Sequence, residues 1–255
     1  MSCKISLGRN LGMYLLFSLS FSISAVAETI NVAVASNFAT TMNAVKQRFE
    51  SEYGHEINII TGSSGKHFAQ LVNGAPFDLF LSADADRPRQ LEIRGHVPPG
   101  QRAVYAQGRL VLWSNRQELR LSEQSLLRLE AEEPIRIAMA NPALAPYGRA
   151  AVEVMTTLGV YEALRSTIVM GENVGQAFQF IYTGNVEFGF VALSQALALD
   201  QTQALWDIPL DYYQPIRQEM VLLSSKPGAR ALFTFLQSAA MGGILNEYGY
   251  ELPKR

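Results

Sequence analysis

Short apolar strands alternate with amphipathic helical stripes along almost the whole chain, and that alternation restricts the fold more than any other feature. Thr29–Ala35 (TINVAVA) reads as a strand with Ile30, Val32 and Val34 on one face. Phe38, Met42, Val45 and Phe49 then recur at a helical period. Glu56–Thr61 predicts a second strand, Phe68, Leu71 and Val72 a helix stripe, and Phe77–Ser82 a strand apolar on both faces apart from Asp78. The second half repeats the theme. Ile135–Ala140, Ile168–Met170 and Phe188–Ala192 read as strands, with stripes at Tyr147, Ala151, Val154, Leu158 and at Val174, Ala177, Phe178, Ile181. Phe178, Phe180 and Phe188 are read as core. Met220–Ser224 predicts a late strand, and Ala231–Leu245 a closing helix broken at Gly242-Gly243. Strands apolar on both sides and separated by helices imply an α/β fold with a largely parallel sheet covered by helices. Two such units without a floppy linker imply two lobes, with strand-like crossovers near Tyr105–Arg109 and Gln214–Gln218.

Residues 1–27 carry Lys4 and Arg9, an apolar run from Leu11 to Val26 and an Ala25-Val26-Ala27 ending. This is the pattern of a secretory signal peptide, so the working chain is expected to start near Glu28. Removing 27 of 255 residues leaves 228, with 19 basic against 23 acidic side chains, a balance of −4. Nucleic acid partners call for a concentrated basic face and are not expected. The one cysteine, Cys3, lies in the leader, so the exported chain has no disulfide, thiol nucleophile or thiolate metal site. His55, His67 and His96 have no metal-helix spacing and are read as isolated surface residues.

Chemistry concentrates where strands end and helices begin. Ser36-Asn37, Gly62-Ser63-Ser64-Gly65, Ala145-Pro146-Tyr147-Gly148 and Glu172-Asn173-Val174-Gly175 all occupy such junctions. A helix start leaves amide N–H groups unpaired and carries partial positive charge; hydroxyl and amide side chains add neutral donors. One junction is ordinary capping. Four of them at strand carboxyl ends suit an anion held in the crevice outside the sheet. Gly65-Lys66 is not a Walker loop, because Ile60 and His67 stand where Gly and Ser or Thr are required. Of Asp84 and Asp86, one is expected to cap the helix through Pro88 and Leu91.

The segments VAVASNF (32–38), TGSSGKHFAQL (61–71), GAPFDLFLSADADRP (74–88), NPALAPYGRAA (141–151), GENVGQAF (171–178) and GFVALSQA (189–196) resemble the extracytoplasmic molybdate-binding proteins of ABC transporters, in family order. The resemblance implies a two-lobed periplasmic-binding-protein fold, each lobe a mixed, mostly parallel sheet flanked by helices, with the oxyanion between the lobes. It implies lobes at 28–106 with 217–255, and at 107–216. It assigns the molybdate contacts to Ser36, Asn37, Ser64, Tyr147 and Val174. Ser36 and Ser64 act through hydroxyl and backbone, Tyr147 and Val174 mainly through backbone N–H, and Asn37 through its amide or backbone. The only metal contact is to molybdenum as its oxyanion, through Ser36, Ser64, Tyr147 and Val174. Some members place a tyrosine after the G-F-V strand; here Ala192 stands there, and the Asn37 and Tyr147 pair resembles a subgroup without that phenol.

The function implied is capture of molybdate or tungstate in the periplasm and delivery to a membrane permease. The chain acts as a monomer, without cofactor or catalysis. Sulfate or phosphate on the same fold is the alternative ligand. A secreted serine hydrolase using Ser63 or Ser64, with His67 as base, is the alternative from another class, and a ligand-sensing module is a third.

Overall fold

The computed structural model describes residues 27–128, 136–199 and 204–251; residues 1–26 of the predicted leader and Ile135, the first residue of a predicted strand, lie outside them. In chain order the elements begin with β1 (Thr29–Ala35), a 3-10 turn at Ser36–Phe38, α1 (Ala39–Tyr53), β2 (Glu56–Gly62), α2 (Ser64–Val72), β3 (Leu79–Leu81) and α3 (Asp86–Ile93). There follow β4 (Arg102–Gly108), β5 (Leu110–Trp113), α4 (Glu123–Arg128), β6 (Ile137–Ala140), α5 (Pro146–Thr157), α6 (Tyr161–Leu164), β7 (Ile168–Gly171) and α7 (Val174–Tyr182). The chain closes with β8 (Phe188–Ala192), α8 (Leu193–Leu197), β9 (Leu205–Asp207), β10 (Ile216–Leu222), α9 (Pro227–Phe235) and α10 (Met241–Glu247).

Two five-stranded sheets result, ordered β2-β1-β3-β10-β4 and β7-β6-β8-β5-β9. β1 pairs in parallel with β2 and β3, while β10 is antiparallel to β3 and β4. In the second sheet β6 is parallel to β7 and β8, and β5 is antiparallel to β8 and β9. Each sheet is thus mixed, its parallel pairs made by the strand–helix–strand units seen in the sequence pattern. In the first sheet the antiparallel pairs are made by β10 and β4, which contain the two segments read as crossovers; in the second they are made by β5, which directly follows the first crossover. β4 continues through Arg109 into β5, and β10 starts at Ile216, earlier than the predicted Met220.

Both faces of the first sheet are covered, as the unbroken apolar character of β1 requires. Phe38, Met42, Val45 and Phe49 pack with Leu79, Leu81, Leu232, Phe235 and Leu245 on one side. Leu71, Phe80, Leu91 and Val221 pack on the other. Complete burial of one such side chain contributes about 1.5–3 kcal/mol. Phe178 and Phe188 are core residues of the second sheet, and Phe180 packs partly buried at its margin.

The closing helix departs from expectation. It is two helices, interrupted over residues 236–240, and Gly242-Gly243 sit inside the first turn of α10. Met241 and Leu245 on α10 are buried against the core at the i, i+4 spacing, and this packing outweighs the low helix propensity of the glycines. His67 also departs: it is 1% exposed, whereas His96 is exposed and His55 half-buried. Its imidazole lies against the carbonyl of Val34 and the side chain of Gln70, and desolvation holds its pKa below the ordinary histidine value.

Candidate oxyanion site

The five residues expected to hold an anion come from positions as far apart as 36 and 174, and all line one cavity of about 10 Å³. Gly62, Ser63, Ala83, Ala145 and Asn173 are among its other walls, and no charged side chain lines it. Organic ligands ordinarily occupy about 300–1,000 Å³. This space suits a small ion.

A count of hydrogen bonds at the three helix starts shows what faces that space. In α2, Ser63 is the N-cap, its Oγ accepting from Lys66 N at 3.2 Å while Ser63 O accepts from His67 N at 3.1 Å. Gly65 N donates at 2.9 Å to Leu144 O, in the loop before α5. The first amide, that of Ser64, is left over. In α7, Asn173 Oδ1 accepts from Gln176 N at 3.0 Å, Asn173 O from Ala177 N at 3.1 Å, and Ser36 Oγ from Gly175 N at 3.1 Å. Val174 N is left over. In α5, Pro146 has no N–H, and Gly148 and Arg149 both donate to Ala145 O. Tyr147 N is left over. Each helix therefore presents one unclaimed amide of a residue that lines the same cavity.

The two serine hydroxyls are polarised the same way. Ser36 Oγ accepts from Gly175 N, and Ser64 Oγ accepts from Ala83 N at 2.9 Å. With an acceptor lone pair of each used, each hydroxyl proton is free to be donated. Neutral hydroxyls, neutral amides and helix-end partial charges make a receptor for negative charge that needs no full positive charge.

Asn37 lines the cavity, but its Nδ2 donates away to Gln218 Oε1 at 3.0 Å and to the Tyr250 hydroxyl at 3.2 Å. The phenol of Tyr147 reaches Gln218 Nε2 at 3.5 Å, beside Gly108. Burial pushes the phenols of Tyr105 and Tyr147 well above their ordinary pKa and that of Tyr250 to about 12. All three stay protonated through neutral pH. Ala192 is buried at the end of β8, its N–H donating to Gln195 Oε1 at 3.0 Å, and it does not line the cavity.

Charges lie around the site rather than in it. Asp84 is buried, accepting from Ser82 Oγ and Arg87 N at 3.1 Å each, pairing with the Arg87 guanidinium and with Arg149 at 3.0 Å. The expectation that Asp84 or Asp86 caps α3 resolves to Asp84, which serves from one residue before the N-cap. Lys66 meets Glu172 at 3.0 Å on the surface. The ring nitrogens of His67 face Gln70 and the Val34 carbonyl rather than Ser63 or Ser64, so His67 is not placed as a base for either serine. No cluster of three or more metal-ligating side chains occurs among the described residues.

Gln218, Tyr250, Ser194 and Arg149, which pairs with Asp84, complete the surroundings, and the sequence pattern does not mark them as site residues. For Gln218 a signal existed: in β10 (IRQEMVL) it shares strand parity with Ile216, Met220 and Leu222, an inward polar position.

The family model for bacterial extracellular solute-binding proteins matches residues 30–251. The molybdate-binding protein ModA of Azotobacter vinelandii is 40% identical over 234 residues, spanning 90% of this chain and 92% of that protein. ModA of Rhodobacter capsulatus is 38% identical over 235 residues, 91% of this chain and 92% of that one. A solved structure of the Azotobacter vinelandii periplasmic molybdate-binding protein superposes with a TM-score of 0.82 at 36% identity, covering 88% of this chain and all of that one. Like that protein, this chain belongs to the bacterial extracellular solute-binding protein family, in its branch of molybdate-binding ModA proteins.

Proposed function

We propose that this protein captures molybdate, with tungstate as an equivalent ligand, and delivers it to the permease of an ABC transporter. The observation that carries the reading is the small, uncharged cavity lined by Ser64, Tyr147 and Val174, whose helix-start amides are unclaimed, and by Ser36 and Ser64, whose hydroxyl protons are free. A tetrahedral dianion stripped of water needs a donor for nearly every oxygen. With no carboxylate in the wall, a protonated oxyanion such as hydrogen phosphate finds no charged acceptor. Sulfate shares charge and shape with molybdate and is smaller, so cavity size is what separates them.

The remaining parts of the reading fit that role. The leader at 1–27 supports export to the periplasm, and the chain works there as a monomer without cofactor or catalysis. Two lobes, 28–106 with 217–255 and 107–216, close on the ion. Their junctions meet through Gly65 N to Leu144 O, Gly175 N to Ser36 Oγ and Arg149 to Asp84. Closure marks the loaded state for the permease.

Thermal unfolding against molybdate, tungstate, sulfate and phosphate tests the ligand. Molybdate and tungstate are expected to stabilise by about 2.7 kcal/mol at a hundredfold excess over Kd, with no shift from sulfate or phosphate. A shift with sulfate or phosphate alone would overturn the ligand assignment, and no shift with any of the four would overturn oxyanion binding itself.

Ser64→Ala removes a donor to the ion and the acceptor of Ala83 N together. Titration calorimetry is expected to show binding weakened by about 1–3 kcal/mol. Unchanged affinity would take Ser64 out of the site.

A further inference from the structure

Gly108, the last residue of β4, stands where the chain passes twice between the two sheets. The first passage leaves through Arg109 to Leu110, the start of β5, and the second returns at Ile216, which pairs with Gly108 in the β10–β4 ladder. The φ of Gly108 is not positive, so its backbone does not call for glycine. The space around it does. A Cβ here would lie 2.6 Å from Gln218 Nε2, 3.1 Å from Tyr147 Cζ and closest of all to Tyr147 Oη, against an optimum of about 3.5–4.0 Å for nonbonded atoms.

The Tyr147 phenol thus ends against the crossovers, while Tyr147 N, at the other end of the residue, is the unclaimed amide of α5 in the cavity. Between these ends the residue is stiff. Oη lies on the long axis of the ring, so turning the ring about χ2 does not move it; only a change of χ1 or a shift of Cα does. Tyr147 is 2% exposed and shares one buried cluster with Leu110, Tyr213 and Ile216, and such packing leaves no room for another χ1 well. A displacement imposed at Gly108 is therefore passed to the Tyr147 backbone.

We infer that Gly108 is a positioning residue of the oxyanion site: having no side chain, it seats the Tyr147 phenol where the two crossovers meet, and the stiff ring carries that seat to the amide facing the ion. The inference rests on the oxyanion reading and deepens it. Gly108 never touches the ion. It ties the angle between the lobes, set at the crossovers, to the place of one donor, so that closure brings the Tyr147 amide onto the ion.

Titration calorimetry with molybdate on a double-mutant cycle tests the coupling. Gly108→Ala is expected to weaken binding at least about tenfold in the natural chain and by less than about threefold in a Tyr147→Phe background, where the atom nearest the new methyl is gone. The remaining neighbours yield more easily, since Cζ needs only a small shift and Gln218 Nε2 ends a flexible side chain. A glycine with a merely structural role would instead lower the urea stability of the ligand-free protein and leave the affinity of the folded protein unchanged, which would overturn the inference. Equal loss of affinity in both backgrounds would overturn it as well, by taking the Tyr147 ring out of the path. Should Gly108→Ala fail to fold, Tyr147→Ala decides, because it keeps the amide and removes the ring. That variant is expected to bind molybdate at least about tenfold more weakly, and unchanged affinity would overturn the coupling. Each of these results leaves the oxyanion reading standing, since each is measured against a natural chain that binds molybdate. A natural chain that binds none of the four oxyanions would overturn that reading and this inference with it.

Discussion

Gly148→Ala is expected to destabilise the protein by about 3 kcal/mol, at the upper end of the range for overpacking, and to weaken molybdate binding at least tenfold. A Cβ at this position would lie 2.8 Å from the carbonyl carbon of Ala140 and 2.9 Å from that of Asn141, closer still to the Ala140 oxygen. These are backbone atoms at the end of β6, so no side-chain rotation relieves the contact. The first turn of α5 would have to retreat, and with it the Tyr147 amide. Urea unfolding and calorimetry check the two effects separately. A variant with both within experimental error of the wild type would show that α5 does not depend on this close approach.

Asp84→Ala is expected to cost about 3–5 kcal/mol, the range for removing one partner of a buried ion pair. The Arg87 side chain is only 11% exposed and would keep its charge without its carboxylate. Ser82 Oγ and Arg87 N would lose their acceptor, and α3 would lose its cap. Arg149 on α5 would lose its bond to the first sheet's side of the site. Because Asp84 carries negative charge near the candidate anion site, the folded variant separates two roles. Chemical unfolding reads the lost stability, and calorimetry reads whether the Arg149 contact aids closure on the ion. A loss of stability below about 1 kcal/mol would show that the buried carboxylate is replaced by solvent.

Much of the site was legible because helix starts are written locally. Ser63 and Asn173 cap through bonds to amides three residues on, and Pro146 at the first position of α5 makes Tyr147 the first free amide. Such features depend on neighbours within one turn, so composition at each junction exposes them. Helix ends fixed by distant packing were harder to see. The break before α10 falls at residues 236–240 rather than at the glycines, because Met241 and Leu245 are held by the core. His67 read as a surface residue because its burial depends on Val34, Phe77 and Phe80, none of them a near neighbour in sequence.

The sequence by itself determined the strand–helix alternation, the four donor-bearing junctions and the confinement of cysteine to position 3. These follow from side-chain period and from chemistry within a few residues. Only the tertiary structure decided that Ser36, Ser64, Tyr147 and Val174 share one small cavity with no charge in its wall. It alone gave Ser36 and Ser64 the N–H partners, from Gly175 and Ala83, that free their protons for a ligand. It also put Gln218 and Tyr250 against Asn37, 181 and 213 residues away in the chain. Hydrogen bonds over such separations are set by strand order and lobe contact, and a polar residue in an apolar strand announces its burial but not its partner.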